Sequence, residues 1–144
     1  MSQSNEKILE ILNAILELEL AGVVRYTHYS LMVFGYARIP IVKWLRDQAT
    51  ESLDHAHRAG ELITQLSGHP SLKIGPLLET HRHDIKDILQ ESLDHEREGI
   101  NKYVQLYEVV RDKKEFIFLE EYARQLITNE EMHLGDVEKM LRGH

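Results

Sequence analysis

The sequence predicts an all-α protein, an antiparallel four-helix bundle, and three observations carry that prediction. Proline occurs only at Pro40, Pro70 and Pro76, so the chain falls into long uninterrupted segments. Within them, apolar residues recur at the spacing of one helix face. Neither sustained period-two alternation nor an Asn-Gly or Asp-Gly hairpin dipeptide occurs, so no strand is expected.

The first segment runs from about Asn5 to Tyr36, with Ser4 or Asn5 as its cap. Ile8, Leu12, Ile15, Val23 and Tyr26 lie on its buried stripe, and Gly35 to Pro40 forms a short break. The second runs from about Ile41 to Ser67, with Pro40 suited to its first turn. Leu45, Ala49, Ser52, Ala56, Ala59 and Ile63 mark its inner line, and Gly68-His69-Pro70 ends it. Ser71 to Pro76 reads as a connector. The third segment runs from about Leu77 to Asp112 and the fourth from about Lys114 to Leu141. Helices of about 40 to 54 Å need one another's faces. One domain over residues 1–144 is therefore expected, with the longer link between helices two and three serving as a crossover along the bundle.

Composition narrows the function. With no cysteine, disulfides, zinc–thiolate sites and iron–sulfur clusters are excluded. A net charge of −7 and the lack of a basic tail argue against nucleic-acid partners and for metal cations. No long uncharged run is suited to crossing a bilayer, and Met1 to Lys7 has no apolar leader core. A cytoplasmic location is the simplest expectation.

The chemistry begins at Glu130-Glu131-Met132-His133. Glu130 and His133, three residues apart on a helix, sit about 60° apart around the axis and can face one metal. Glu19 interrupts an apolar stripe, and Tyr26 follows seven residues later on nearly the same face. The third segment repeats the device with Glu96 and Tyr103. A carboxylate on a core stripe needs a metal, a hydrogen-bond donor or a proton, and a tyrosine of one helix can serve the glutamate of another. On the second segment His55 lies on the inner line. Ser52 stands three residues before it, where a glutamate would complete the symmetry, and Glu51 lies four before. His81 and His83, taken as helical, diverge by about 200°, so a shared chelate is not expected. Glu91-Ser92-Leu93-Asp94-His95 repeats Glu51 to His55, but burial of His95 is not required.

Two helices giving one Glu each and two giving a Glu-x-x-His is the di-iron carboxylate pattern of ferritin-like bundles. The chain resembles a bacterioferritin-type member of that superfamily over nearly its whole length. The matching pieces are Glu19 with Tyr26, His55-Ala56, the Gly68-x-Pro70-x-Leu72 connector, Glu96 with Tyr103, and Glu130-Glu131-x-His133. The halves are near-equivalent: 36 residues separate Glu19 from His55, and 37 separate Glu96 from His133.

The resemblance implies metal ligands at Glu19, His55, Glu96, Glu130 and His133, with Tyr26 and Tyr103 assisting the chemistry. It implies binding of two Fe²⁺ per subunit, Mn or Zn being possible alternatives, and oxidation by O₂ or peroxide for iron storage or detoxification. One bridging carboxylate corresponds to Glu130; the other falls at Ser52, and recruitment of Glu51 as a ligand is the expectation there. Leu53 stands where the family places its haem-ligating methionine, so haem is not expected. The chain stops 11 residues after His133, without the family's fifth helix, so a homo-oligomer of 24, 12 or two subunits stays open. Two alternatives accompany this reading: a non-catalytic metal-binding or assembly bundle whose site is degraded at Ser52, and a rubrerythrin-like di-iron oxidase or peroxidase.

Overall fold

The computed structural model describes residues 3–143, with side chains from residue 5 onward. Its four long helices are α1 (Gln3–Leu31), α2 (Arg38–Gln65), α3 (Ile85–Val110) and α4 (Ile117–Arg142). A 3₁₀ turn over Lys114–Phe116 leads into α4. No strand occurs among the described residues. The predicted antiparallel bundle is what forms, with α1 against α2 and α3, and α3 against α4.

The helix ends explain where the sequence reading was off. The first helix begins at Gln3, which puts Asn5 inside its first turn rather than at the cap. It stops at Leu31, not Tyr36, because Arg38 reaches back with one guanidinium nitrogen to the carbonyls of Val33 (2.7 Å) and Ser30 (3.2 Å). The Ser30 carbonyl is one that a helix end leaves bare, and Gly35, at φ 101, turns the chain. The second helix starts two residues ahead of Pro40, whose missing N–H falls among the donors a first turn never pairs.

At the other end of α2, Gly68 N–H bonds Ile63 O (2.9 Å) and Ser67 N–H bonds Thr64 O (3.0 Å). This is a Schellman closure, with Ser67 holding the left-handed position at φ 64. A side chain is disfavoured there, so Ser67→Gly is expected to stabilise the protein by about 0.5–1 kcal/mol, read as a rise in chemical-denaturation midpoint.

The third helix starts at Ile85 rather than Leu77, and residues 66–84 form the crossover. Its side chains take up backbone donors that a helix would need: Glu79 accepts from His81 N–H (2.7 Å), and Thr80 from Arg82 N–H (3.3 Å). The crossover lies along α1. Asn13 accepts from Ser71 N–H (2.8 Å) and donates to His69 O (3.3 Å); Glu17 O accepts from Gly75 N–H (2.7 Å); and Arg25 donates to Pro76 O (3.2 Å). At Gly75 a Cβ would lie 3.1 Å from Glu17 O, so the close approach favours glycine.

Two apolar regions fill the bundle. One end packs Ile8, Leu12, Ile15, Ile63, Leu106, Leu119 and Leu126. The other packs Tyr29, Val33, Val42, Leu45 and Ile88 beside Leu89, Leu93 and Val137. Between them lies a buried polar layer containing Glu19, Ser52, His55, His95, Glu96 and Glu130.

Candidate metal centre

Each helix contributes to that layer through its inner line. Glu130 is 5% exposed and Glu96 6%, so both carboxylates sit in the interior. Buried carboxylates on this scale demand partners. Two three-residue groups have ligand atoms all within 4.8 Å of one another: Glu19, His55 and Glu130, and Glu96, Glu130 and His133. Glu130 belongs to both. The two groups together hold five of the residues singled out from the sequence, with Glu130 as the shared carboxylate.

The imidazoles use defined faces. His55 Nδ1 lies 3.0 Å from Glu19 Oε2 and 3.2 Å from Glu130 Oε1. His133 Nδ1 lies 3.9 Å from Glu130 Oε2. Both Nδ1 atoms thus turn toward the shared carboxylate. Glu51 is on the opposite side of both rings, 3.0 Å from His133 Nε2 and 3.7 Å from His55 Nε2. It lies outside both three-residue groups, on the faces turned away from Glu130.

The two tyrosines cross the bundle. Tyr26 of α1 donates a hydrogen bond to Glu96 of α3, and Tyr103 of α3 donates to Glu19 of α1 at 2.6 Å. Burial, reinforced by the facing carboxylates, raises both phenol pKa values well above their ordinary value, so both stay protonated donors. Burial and then Glu130 raise the Glu96 carboxyl pKa as well. Burial alone would lower that of His55. Its bonds to Glu130 and Glu19, with their charges, outweigh this and lift it to about 10 in the metal-free protein.

Ser52 is buried and packs against Gly22 of α1, where an added Cβ would meet Ser52 Oγ at 2.8 Å and His95 Nε2 at 3.0 Å. The short side chains at 22 and 52 thus make room for the imidazole of His95 from α3. Sequence reasoning missed this residue. His95 is 7% exposed, and its Nδ1 is buried with no hydrogen-bond partner. Burial, aided by the Arg25 charge, lowers its pKa to about 4, so the ring is neutral. The available signal was the helical line Ile88, Ser92, His95, which marks an inner face.

The donor set suits a pair of hard or borderline divalent metals. Three carboxylates, of Glu19, Glu96 and Glu130, and two imidazoles, of His55 and His133, offer such cations oxygen and nitrogen donors. Four antiparallel helices carrying such a layer at mid-length define a class, the bundle proteins with an internal carboxylate–imidazole layer. The family model for the ferritin-like domain matches residues 9–143, and the chain belongs to that family. Bacterioferritin of Rhodobacter capsulatus is 30% identical over 145 residues, covering 96% of this chain and 85% of its own length. A crystal structure of ferritin-like, diiron-carboxylate proteins from Bacillus anthracis str. Ames shares the fold at TM-score 0.92 and 22% identity, covering 98% of this chain and 99% of that one. The structure of R. capsulatus bacterioferritin with a metal-free dinuclear site and heme iron gives TM-score 0.86 at 25% identity, covering 95% and 84%.

Proposed function

We propose that this protein binds two Fe²⁺ per chain in the mid-bundle layer and oxidises them to Fe³⁺ for iron storage or detoxification. The observation that carries the reading is the pair of ligand groups joined at Glu130. Likeness to a bacterioferritin over nearly the whole chain supports iron as the substrate. With O₂ as oxidant, two Fe²⁺ give up one electron each, and O₂ takes those two electrons and two protons to leave hydrogen peroxide. With peroxide as oxidant, the same two electrons and two protons yield two waters.

The residues have separable roles in this reading. Glu19 with His55, and Glu96 with His133, hold the two cations, and Glu130 spans both. Tyr26 and Tyr103 keep Glu96 and Glu19 aimed at the centre by donating to one oxygen of each. Glu51 carries its charge 3.0 Å from His133 Nε2 and 3.7 Å from His55 Nε2, which favours the ring orientations that keep both Nδ1 atoms inward. As a positioning residue, Glu51 is expected to matter by degree. Glu51→Ala should weaken metal binding about 10- to 100-fold while leaving the stoichiometry unchanged, as read by titration calorimetry.

Leu53, at the position the resemblance assigns to the haem-ligating methionine, is partly exposed on α2 and offers no ligand, so the reading includes no haem. Among the described residues no helix is long and apolar enough to cross a membrane. Exposed Phe34, Tyr36 and Ile39 gather at the α1–α2 turn, which supports self-association into a homo-oligomer.

Anaerobic Fe²⁺ titration followed by air tests the proposal. About two irons per chain, with fast O₂-dependent formation of Fe³⁺, is the expected result. Uptake without oxidation would instead favour a metal-binding bundle without catalysis, the reading that Ser52 in place of a second bridging carboxylate supports.

A further inference from the structure

A second group of ligating side chains lies outside the bundle core, where the crossover meets α1. His28 of α1 and Glu79 and His83 of the crossover place their ligand atoms within 4.8 Å of one another. His28 Nε2 is 3.3 Å from Glu79 Oε2, and His83 Nε2 is 3.7 Å from Glu79 Oε1. The two imidazole rings stand 5.6 Å apart, edge to face. His81 Nδ1 lies 3.8 Å from the same Glu79 oxygen as His83.

This grouping exists because residues 77–84 are not helical. A helix would turn His81 and His83 to opposite sides. Instead the chain bends at His81, at φ 56, and Glu79 accepts from the His81 backbone N–H, so the side chains at 79, 81 and 83 gather near α1.

The separate position of His28 decides between a simple ion-pair cluster and a chelate. Its Nε2 is buried and close to Glu79, yet no hydrogen bond joins them. The hydrogen-bonding capacity of this nitrogen is thus not taken up within the protein, although it stands among other ligand atoms. Around a tetrahedral zinc, neighbouring donors stand about 3.4 Å apart, close to the 3.3 Å between His28 and Glu79. No lysine or arginine is paired with Glu79 among the described contacts; its partners are imidazoles.

We propose that His28, Glu79 and His83 form a second metal site, which takes one divalent first-row cation of the Zn²⁺ or Fe²⁺ class and clasps the crossover to α1. Two imidazoles and one carboxylate suit that class, and the exposed side leaves positions for water or for His81. The site is independent of the mid-bundle centre: it shares no residue with it.

The test is Zn²⁺ titration of the full chain by calorimetry, with and without His28→Ala and His83→Ala together. The expected result is a loss of one equivalent per chain, whatever number the bundle interior takes. Either single substitution should weaken that equivalent at least about 10-fold. Zn²⁺ should also slow amide exchange over residues 77–84 in the unaltered chain and not in the double variant. An unchanged number of equivalents in the double variant, or no Zn²⁺-dependent protection of residues 77–84, overturns the proposal. Failure of the mid-bundle reading would lower the count in both proteins equally, so the two outcomes are distinguishable. Both histidines are partly exposed, so their replacement leaves the core intact.

Discussion

Glu130→Ala is expected to remove both iron equivalents from the bundle. Glu130 is the one residue present in both ligand groups, so its loss leaves Glu19 with His55, and Glu96 with His133, as two-ligand remnants. Oxidation of Fe²⁺ by O₂ should fall on the order of 100-fold or more, because the remnants neither hold the cations nor keep them together. Stopped-flow absorbance under single-turnover conditions measures this directly. Retention of two tight equivalents in Glu130→Ala would contradict the assignment. The contrast with Glu51→Ala is informative. Glu51 touches only the outer nitrogens of the histidines, so its loss should change affinity and not number.

The second large effect concerns the metal-free protein and pH. The His55 pKa stands at about 10 when folded and metal-free, above the ordinary histidine value of about 6.5 that applies unfolded. The folded state therefore holds a proton the unfolded state has lost. Its stabilisation is full below about pH 6.5 and is lost as pH rises toward about 10, on the order of 3–5 kcal/mol across that window. The raised Glu96 pKa works in the same direction, since folding again favours the protonated form. The melting temperature of metal-free protein should thus fall by about 10 °C or more between pH 6.5 and pH 10. Metal must displace the His55 proton to reach Nδ1, so stabilisation by added metal should grow over the same interval. A melting temperature of metal-free protein that rises with pH would contradict the protonated state of His55.

Most of this site was legible because helix geometry ties spacing to direction. Glu19 with Tyr26 and Glu96 with Tyr103 could be paired across the bundle before any coordinates, since a seven-residue step returns to the same face. The Glu130-x-x-His133 step was legible for the same reason. The misses were of another kind. The start of α3 at Ile85 depends on Glu79 and Thr80 side chains bonding nearby backbone, a competition that apolar periodicity does not register. The side of the histidines on which Glu51 lies is a matter of side-chain torsion, and spacing says only that residues 51 and 55 are neighbours. Burial of His95 depends on the space left by Gly22 and Ser52, which sit on two other helices.

The two ligand groups are built from different amounts of the chain. Glu96, Glu130 and His133 all come from α3 and α4, a single helical hairpin with a short turn. Glu19 and His55 come from the α1–α2 hairpin and complete their group only by borrowing Glu130. In the proposed reading, one position is a chelate within a hairpin, while the other is a bolt between two hairpins. A cation in the first asks only that α3 and α4 have met. A cation in the second forms only once the halves have docked, and it resists their parting. The order in which the two positions fill would therefore report the order in which the protein assembles.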